Sequence, residues 1–383
     1  MNDELRKPLG LKPQKPSGRP KLALAVLLVL VFATGGLLAS GALFPKPPAV
    51  TAQAPASPAQ PEAPAPAPSA TEAEPAETDA AADPDAPALS APEAQGEITE
   101  VQPAEPVRQE KALAHLPDPE LTERVADGLL PKRGSDGRRP MDVYSRPPAT
   151  EGNFGVARVV LIVGGMGISQ SGSSQALKQL PPSVTLAFAP YGNSLLRWMQ
   201  DARRKGHELL LQVPMEPFGF PENTPGEHTL NTAADGAANV ADLHWSMSRI
   251  TNYVGIINFL GGKFVTDPLA LKPVFEDVAA RGLLFVDDGS VRNSVTRDVA
   301  TQALLPHARA TIQIDTVRTR ADIARQLNLL AEEAKRTGIA IGVANAFPDS
   351  IELIAKFAAA ASAKGIEITP VSAIVTDPER KRQ

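Results

Sequence analysis

Two adjacent carboxylates, Asp287 and Asp288, stand just before Gly289-Ser290 and just after an apolar run. A carboxylate pair can share one proton and work as acid and base, and the same pair can also simply cap a loop. Comparable places elsewhere in the chain, each following an apolar run, hold Asn193, Gln212, Glu216, Asn258, Asp315 and Asn345. Amides mixed with carboxylates are what sugar hydroxyls and acetamides hydrogen-bond to. Ordinary turn chemistry also selects Asp and Asn at such places. The candidate catalytic carboxylates are therefore Asp287, Asp288 and Glu216. The candidate ligand-binding set is Asn193, Gln212, Glu216, His228, Asn258, Asp287, Asp288 and Asn345.

Other chemistries are poorly served. There is no cysteine, which excludes disulfides, thiolate zinc sites and a cysteine nucleophile. Among His207, His228, His244 and His307 no two have the three- or four-residue spacing that puts a pair of imidazoles on one helical face. His207 and His244 read as packing or surface residues. His228, in the proline-rich loop between Pro214 and Leu230, is the one placed to reach a ligand. Gly164, Gly165 and Gly167 make no GxGxxG, no Gly-Lys-Ser/Thr follows, and Ser169, Ser171, Ser173 and Ser174 lie outside any GxSxG, so no cofactor is expected. A net charge of −5 with only 4% aromatic residues gives no reason to expect a nucleic-acid partner.

The elements that would position these residues repeat a β/α unit. Val156–Gly167 (VARVVLIVGGMG) reads as a buried central strand opening into a glycine loop. Seven further strand candidates come after it: Val184–Ala189, Glu208–Val213, Val254–Asn258, Leu283–Val286, Ala310–Ile314, Ile339–Val343 and Ile366–Thr369. Helical stretches alternate with them, and Gly206, Gly282, Gly338 and Gly365 each stand between a helix and a strand, as left-handed helix caps do. The pattern predicts an α/β fold of parallel strands and crossover helices, a (β/α) barrel whose loops converge at the strands' C-terminal ends.

From Val156 to about Val375 the chain resembles the divergent polysaccharide deacetylase family. The likeness rests on VVLIVGGMGIS from Val159, VTLAFAPYGNS from Val184, GHELLLQVPMEP from Gly206, YVGIINFLGGKF from Tyr253, GLLFVDDGS from Gly282 and ITPVSAIV from Ile368. It implies a distorted (β/α) barrel acting on carbohydrate. In the wider superfamily two aspartates after the first strand and two later histidines supply the base and the metal ligands. Here Gly164 and Gly165 stand at the aspartate pair, Phe259 at one histidine and Gln212 at another, so no metal is expected. The resemblance leaves three readings: a metal-free glycan-binding domain, an active deacetylase with relocated carboxylates, and an interaction scaffold.

Ahead of this domain, taken as residues 153–376, the sequence changes character. Residues 1–21 form a basic tail expected in the cytoplasm, and Leu22–Phe44 carries no charge. Those 23 residues would make a helix of about 35 Å, enough to span a bilayer as an uncleaved anchor, with the remainder of the chain exported. Cleavage near Ala39–Ala42 is the alternative. Residues 45–106 are Ala, Pro, Glu and Asp with almost no large apolar residue, a composition that packs no core. Through Thr150 this stretch would reach about 60 Å as a coil and about 300 Å as polyproline helix. Residues 107–152 read as an extended arm with apolar anchors Leu129, Leu130, Met141, Val143 and Tyr144 and basic residues Lys132, Arg133, Arg138 and Arg139. That arm either straps onto the domain or presents a basic contact to an envelope partner. The expected location is the inner membrane, single-pass, with the C-terminal domain in the periplasm and an envelope glycan as ligand.

Overall fold

The computed structural model describes residues 114–149 and 155–380. The expected tail (1–21), membrane helix (22–44) and linker (45–106) lie outside the described residues. Among those described, no helix is long and apolar enough to cross a membrane.

The arm is more structured than expected. Strands β1 (Thr122–Val125) and β2 (Gly128–Pro131) form an antiparallel hairpin, followed by a helical turn α1 (Pro140–Val143). Ala126-Asp127 form the two-residue loop, and Gly128, the first residue of β2, adopts φ +146° opposite Val125. Of the expected anchors Leu130, Met141 and Tyr144 are buried and Leu129 and Val143 are half-buried, and Leu121, not among them, is buried as well.

The domain proper is a curved parallel sheet, an α/β half-barrel: β3 (Ala157–Met166), β4 (Thr185–Phe188), β5 (Leu209–Met215), β6 (Gly255–Leu260), β7 (Leu284–Asp287), β8 (His307–Arg309), β9 (Ile312–Gln313), β10 (Ile339–Asn345) and β11 (Ile366–Ile368). The hydrogen-bonded order is β8-β7-β6-β5-β4-β3-β10-β9, with β11 beside the start of β3. The two ends of that path, β8 and β9, are consecutive in the chain. Between them Ala310 donates to Asp287 O and Thr311 to Ile341 O, so one backbone segment passes from β7 to β10. Helices α2 (Gln170–Gln179), α3 (Leu195–Arg204), α4 (Gly236–Met247), α5 (Pro268–Ala280), α6 (Thr296–Gln302), α7 (Arg320–Thr337) and α8 (Pro348–Ala361) alternate with the strands at the expected places, and the four glycines after helices all adopt positive φ.

Strand periodicity divides the core in two. Val159, Leu161 and Val163 join the large cluster against the helices, whereas Val160 and Ile162 face the interior with Leu210, Ile257, Leu284 and Val286. Leu121, Met141 and Tyr144 of the arm belong to the interior cluster, so the arm packs into the inside of the curved sheet.

Candidate functional site

Gly164 and Gly165, near the end of β3, sit in a β-bulge. β3 pairs with β4 through Val163↔Leu186 and then Met166↔Phe188, which inserts one extra residue between them. Gly165 adopts φ +73°. Gly164 permits a close approach: a Cβ built there would lie 2.8 Å from Gln212 Nε2. Gln212, buried on β5, accepts a hydrogen bond from Gly165 N at 2.7 Å. The amide of Gln212 thus occupies the space that a side chain at position 164 would need. Phe259 is 38% exposed and offers no metal-binding atom. These residues do not fit a divalent metal, which takes carboxylate or imidazole ligands. Among the described residues no three His, Asp or Glu side chains gather into another set able to hold one.

The paired carboxylates have different fates, and the register of β7 is the cause. Phe285 belongs to the helix-facing cluster and Leu284 and Val286 to the interior one. Asp287 therefore points outward and Asp288 continues the inward series. Asp287, expected among the catalytic and ligand-binding residues, is thus turned away from the interior. Its Oδ1 accepts from Gly289 N (2.8 Å), and its Oδ2 from Ser294 Oγ and Thr296 Oγ1 (2.6 Å each). Arg309 Nε lies 3.8 Å away. Asp287 holds the loop from 288 to 296 against α6. Asp288 is partly exposed, and its Oδ1 accepts from Ser290 N and Oγ. Burial, reinforced by the neighbouring Asp287, pushes its carboxyl above the usual carboxylate range despite the bonds from Ser290.

Glu216, 4% exposed, also serves the loops. Its Oε2 accepts from Thr232 N and Oγ1 (2.6 and 2.7 Å) and its Oε1 from Lys263 Nζ at 2.7 Å. Burial alone would raise its pKa, but the Lys263 and Thr232 hydrogen bonds outweigh it and hold the carboxyl below the usual range. Asn258 accepts from Asp288 N (2.8 Å) and donates to Leu260 O (2.7 Å), where Leu260 has φ +58°. Asn345 donates to Asp315, which also accepts from Asn345 N and Ser350 Oγ. Asn193 is exposed, and its backbone N donates to Gly167 O. The structure brings Gln212 to the bulge, Asn258 to Asp288 and Asn345 to Asp315, and it sets His228 apart. His228 stacks on Trp245 at 3.8 Å, bonds Asp242 at 2.9 Å, and its backbone N donates to Tyr191 Oη.

Sequence reasoning misses Ser290, Lys263 and Gln313, the last of which donates to the Asp288 carbonyl. Ser290 is legible as an Asp-Gly-Ser turn partner, whereas Lys263 and Gln313 meet their partners only through long-range pairing. Three of the arm's four basic residues pair within the chain. Arg139 pairs with Asp142 and Asp377, Arg133 with Glu379, and Arg138 with Asp118.

Comparison with known proteins yields matches along the same stretch. The family model described as "Divergent polysaccharide deacetylase" matches residues 161–375. A solved structure of an uncharacterized protein from Agrobacterium tumefaciens is 50% identical with a TM-score of 0.62, covering 64% of this chain and 99% of that one. Among curated sequences, an uncharacterized protein of Haemophilus influenzae is 21% identical over 55% of this chain and 75% of its own. The Escherichia coli protein YibQ is 20% identical over 51% of this chain and 61% of its own.

Proposed function

Because the chain belongs to the divergent polysaccharide deacetylase family, we propose that its barrel binds an N-acetylated envelope glycan, peptidoglycan being the nearest candidate, at the strands' C-terminal ends and without a metal. The observation that carries this reading is the filled bulge. Gln212 occupies the space beside Gly164 and bonds Gly165, where the superfamily places its aspartate pair. An amide there donates and accepts hydrogen bonds but cannot replace a carboxylate as base or ligand. The partly exposed carboxylate of Asp288 and the exposed Phe259 lie at the ends of neighbouring strands. A carboxylate acceptor beside an aromatic face suits a sugar's hydroxyls and its C–H surface, with each neutral hydrogen bond contributing about 0.5–1.5 kcal/mol net.

In this reading Leu22–Phe44 anchors the chain in the inner membrane and residues 45–106 act as a spacer that lets the domain reach glycan in the periplasm. The test is titration calorimetry of the full-length chain with an N-acetylglucosamine oligomer after exhaustive chelation. Saturable binding unchanged by chelation is expected. Binding that appears only when zinc, cobalt or manganese is restored would overturn the metal-free reading, and absence of binding in both states would turn the assignment to a protein-interaction scaffold.

A further inference from the structure

Every strand from β3 to β7 is followed by a helix, but β8 passes to β9 with none. The outer side of β8 is left to the short α6 and to the chain near Thr376, which bridges back to His307. Between them lies a cavity of about 510 Å³ whose walls include Phe285, Arg297, Thr301, His307, Arg309 and Thr376. Three of its lining residues are basic and none is acidic.

The cations are differently placed from those of the arm. Arg297 pairs with no carboxylate among the described residues, in contrast to Arg133, Arg138 and Arg139. Arg309 donates to Val291 O and makes a long ion pair with Asp287 through Nε at 3.8 Å, which leaves its other guanidinium N–H groups for a ligand. His307 uses Nδ1 on Leu305 O at 3.0 Å, a contact that leaves Nε2 over. The two guanidinium groups suit a phosphate, whose several oxygens accept charge-assisted bonds, whereas the hydroxyls of Thr296 and Thr301 already donate to Asp287 and to Arg297 O. Size adds a constraint. A water's share of liquid volume is about 30 Å³, so a bare phosphate would leave most of the cavity empty. The volume lies within the roughly 300–1,000 Å³ of small-molecule sites.

We propose that this cavity, separate from the strands' C-terminal ends, is a binding site for a phosphorylated small molecule, a sugar phosphate where the glycan reading above holds, with Arg297 and Arg309 holding the phosphate. Thr296 and Arg309 line it from one side and contact Asp287 on the other, so the site adjoins the loop that carries Asp288.

The experiment is calorimetry of the full-length chain with N-acetylglucosamine 1-phosphate, inorganic phosphate, N-acetylmuramic acid and neutral N-acetylglucosamine as separate titrants. The sugar phosphate should bind one to one, about ten-fold or more tighter than any other titrant, and an excess of neutral N-acetylglucosamine oligomer should not displace it. Arg297→Ala, an exposed position, should weaken it about ten-fold with melting unchanged. Arg309→Gln should weaken it similarly, with melting followed in parallel because Arg309 also touches Val291. Equal affinity for inorganic phosphate, preference for the muramic acid, displacement by the neutral oligomer, or indifference to Arg297→Ala would each overturn the proposal.

Discussion

The two ends of the half-barrel use polar residues in opposite ways. At the N-terminal end, Arg203 is fully buried and donates to Ala114 O, Tyr144 O and His207 O. Nearby Glu208, fully buried, accepts from Arg146 N and from Ser372 N and Oγ. Most of these contacts tie the arm or the chain's last segment to the sheet. At the C-terminal end most polar side chains also serve loops, as Glu216, Asn258 and Asp287 show, but Asp288 stays partly exposed with a raised pKa. Polarity at a strand end therefore does not mark function by itself. What marks it is polarity left over after the backbone has been served.

The largest test of this contrast is at the closed end. Arg203→Ala should cost about 3–5 kcal/mol in denaturant unfolding, because it strands the buried carbonyls of Tyr144 and His207 and opens a cavity beneath Tyr144. A loss below about 1 kcal/mol would mean that the arm is not held there.

His207 gives the next effect. Burial holds its pKa down to about 4, below the ordinary 6.5, so the fold favours the neutral ring. The stability this contributes is complete above about pH 6.5 and is lost as pH falls toward 4, by about 3 kcal/mol in all. His207→Asn should flatten that slope in melts between pH 4 and 7. Glu208 runs with the opposite sign: burial raises its pKa, so its contribution is lost as pH rises through the raised value. The histidine variant isolates one from the other.

At the open end, Gly164→Ala should cost about 1–3 kcal/mol by overpacking against Gln212. In a Gln212→Ala background the same change should cost far less. Additive losses across this double-mutant cycle would show that the two positions do not share one space.

The features behind these effects are unequally visible in the sequence. Strands and helices are legible because apolar runs alternate with helix-capping glycines, and the Asp127-Gly128 turn signal is present in an arm that otherwise reads as extended. Asp287 and Asp288 cannot be told apart, since one residue of register exchanges the two faces of a strand. Glu216 looks like a catalytic candidate because its partner Lys263 stands 47 residues away. That Gly164, Gly165 and Phe259 stand where the wider superfamily has metal ligands is what the family resemblance implies, and the way Gln212 fills the bulge needs coordinates.

The central claim is that glycan binding depends on the inward carboxylate, Asp288, and not on its outward neighbour. It is tested most directly by titrating N-acetylglucosamine oligomer into the parent chain, Asp288→Ala and Asp287→Asn, with melting recorded for each. Asp288→Ala should weaken binding by about a few-fold to tens-fold at unchanged melting, and Asp287→Asn should lower melting while leaving the affinity of the folded protein nearly intact. Equal affinities for the parent chain and Asp288→Ala would contradict the account.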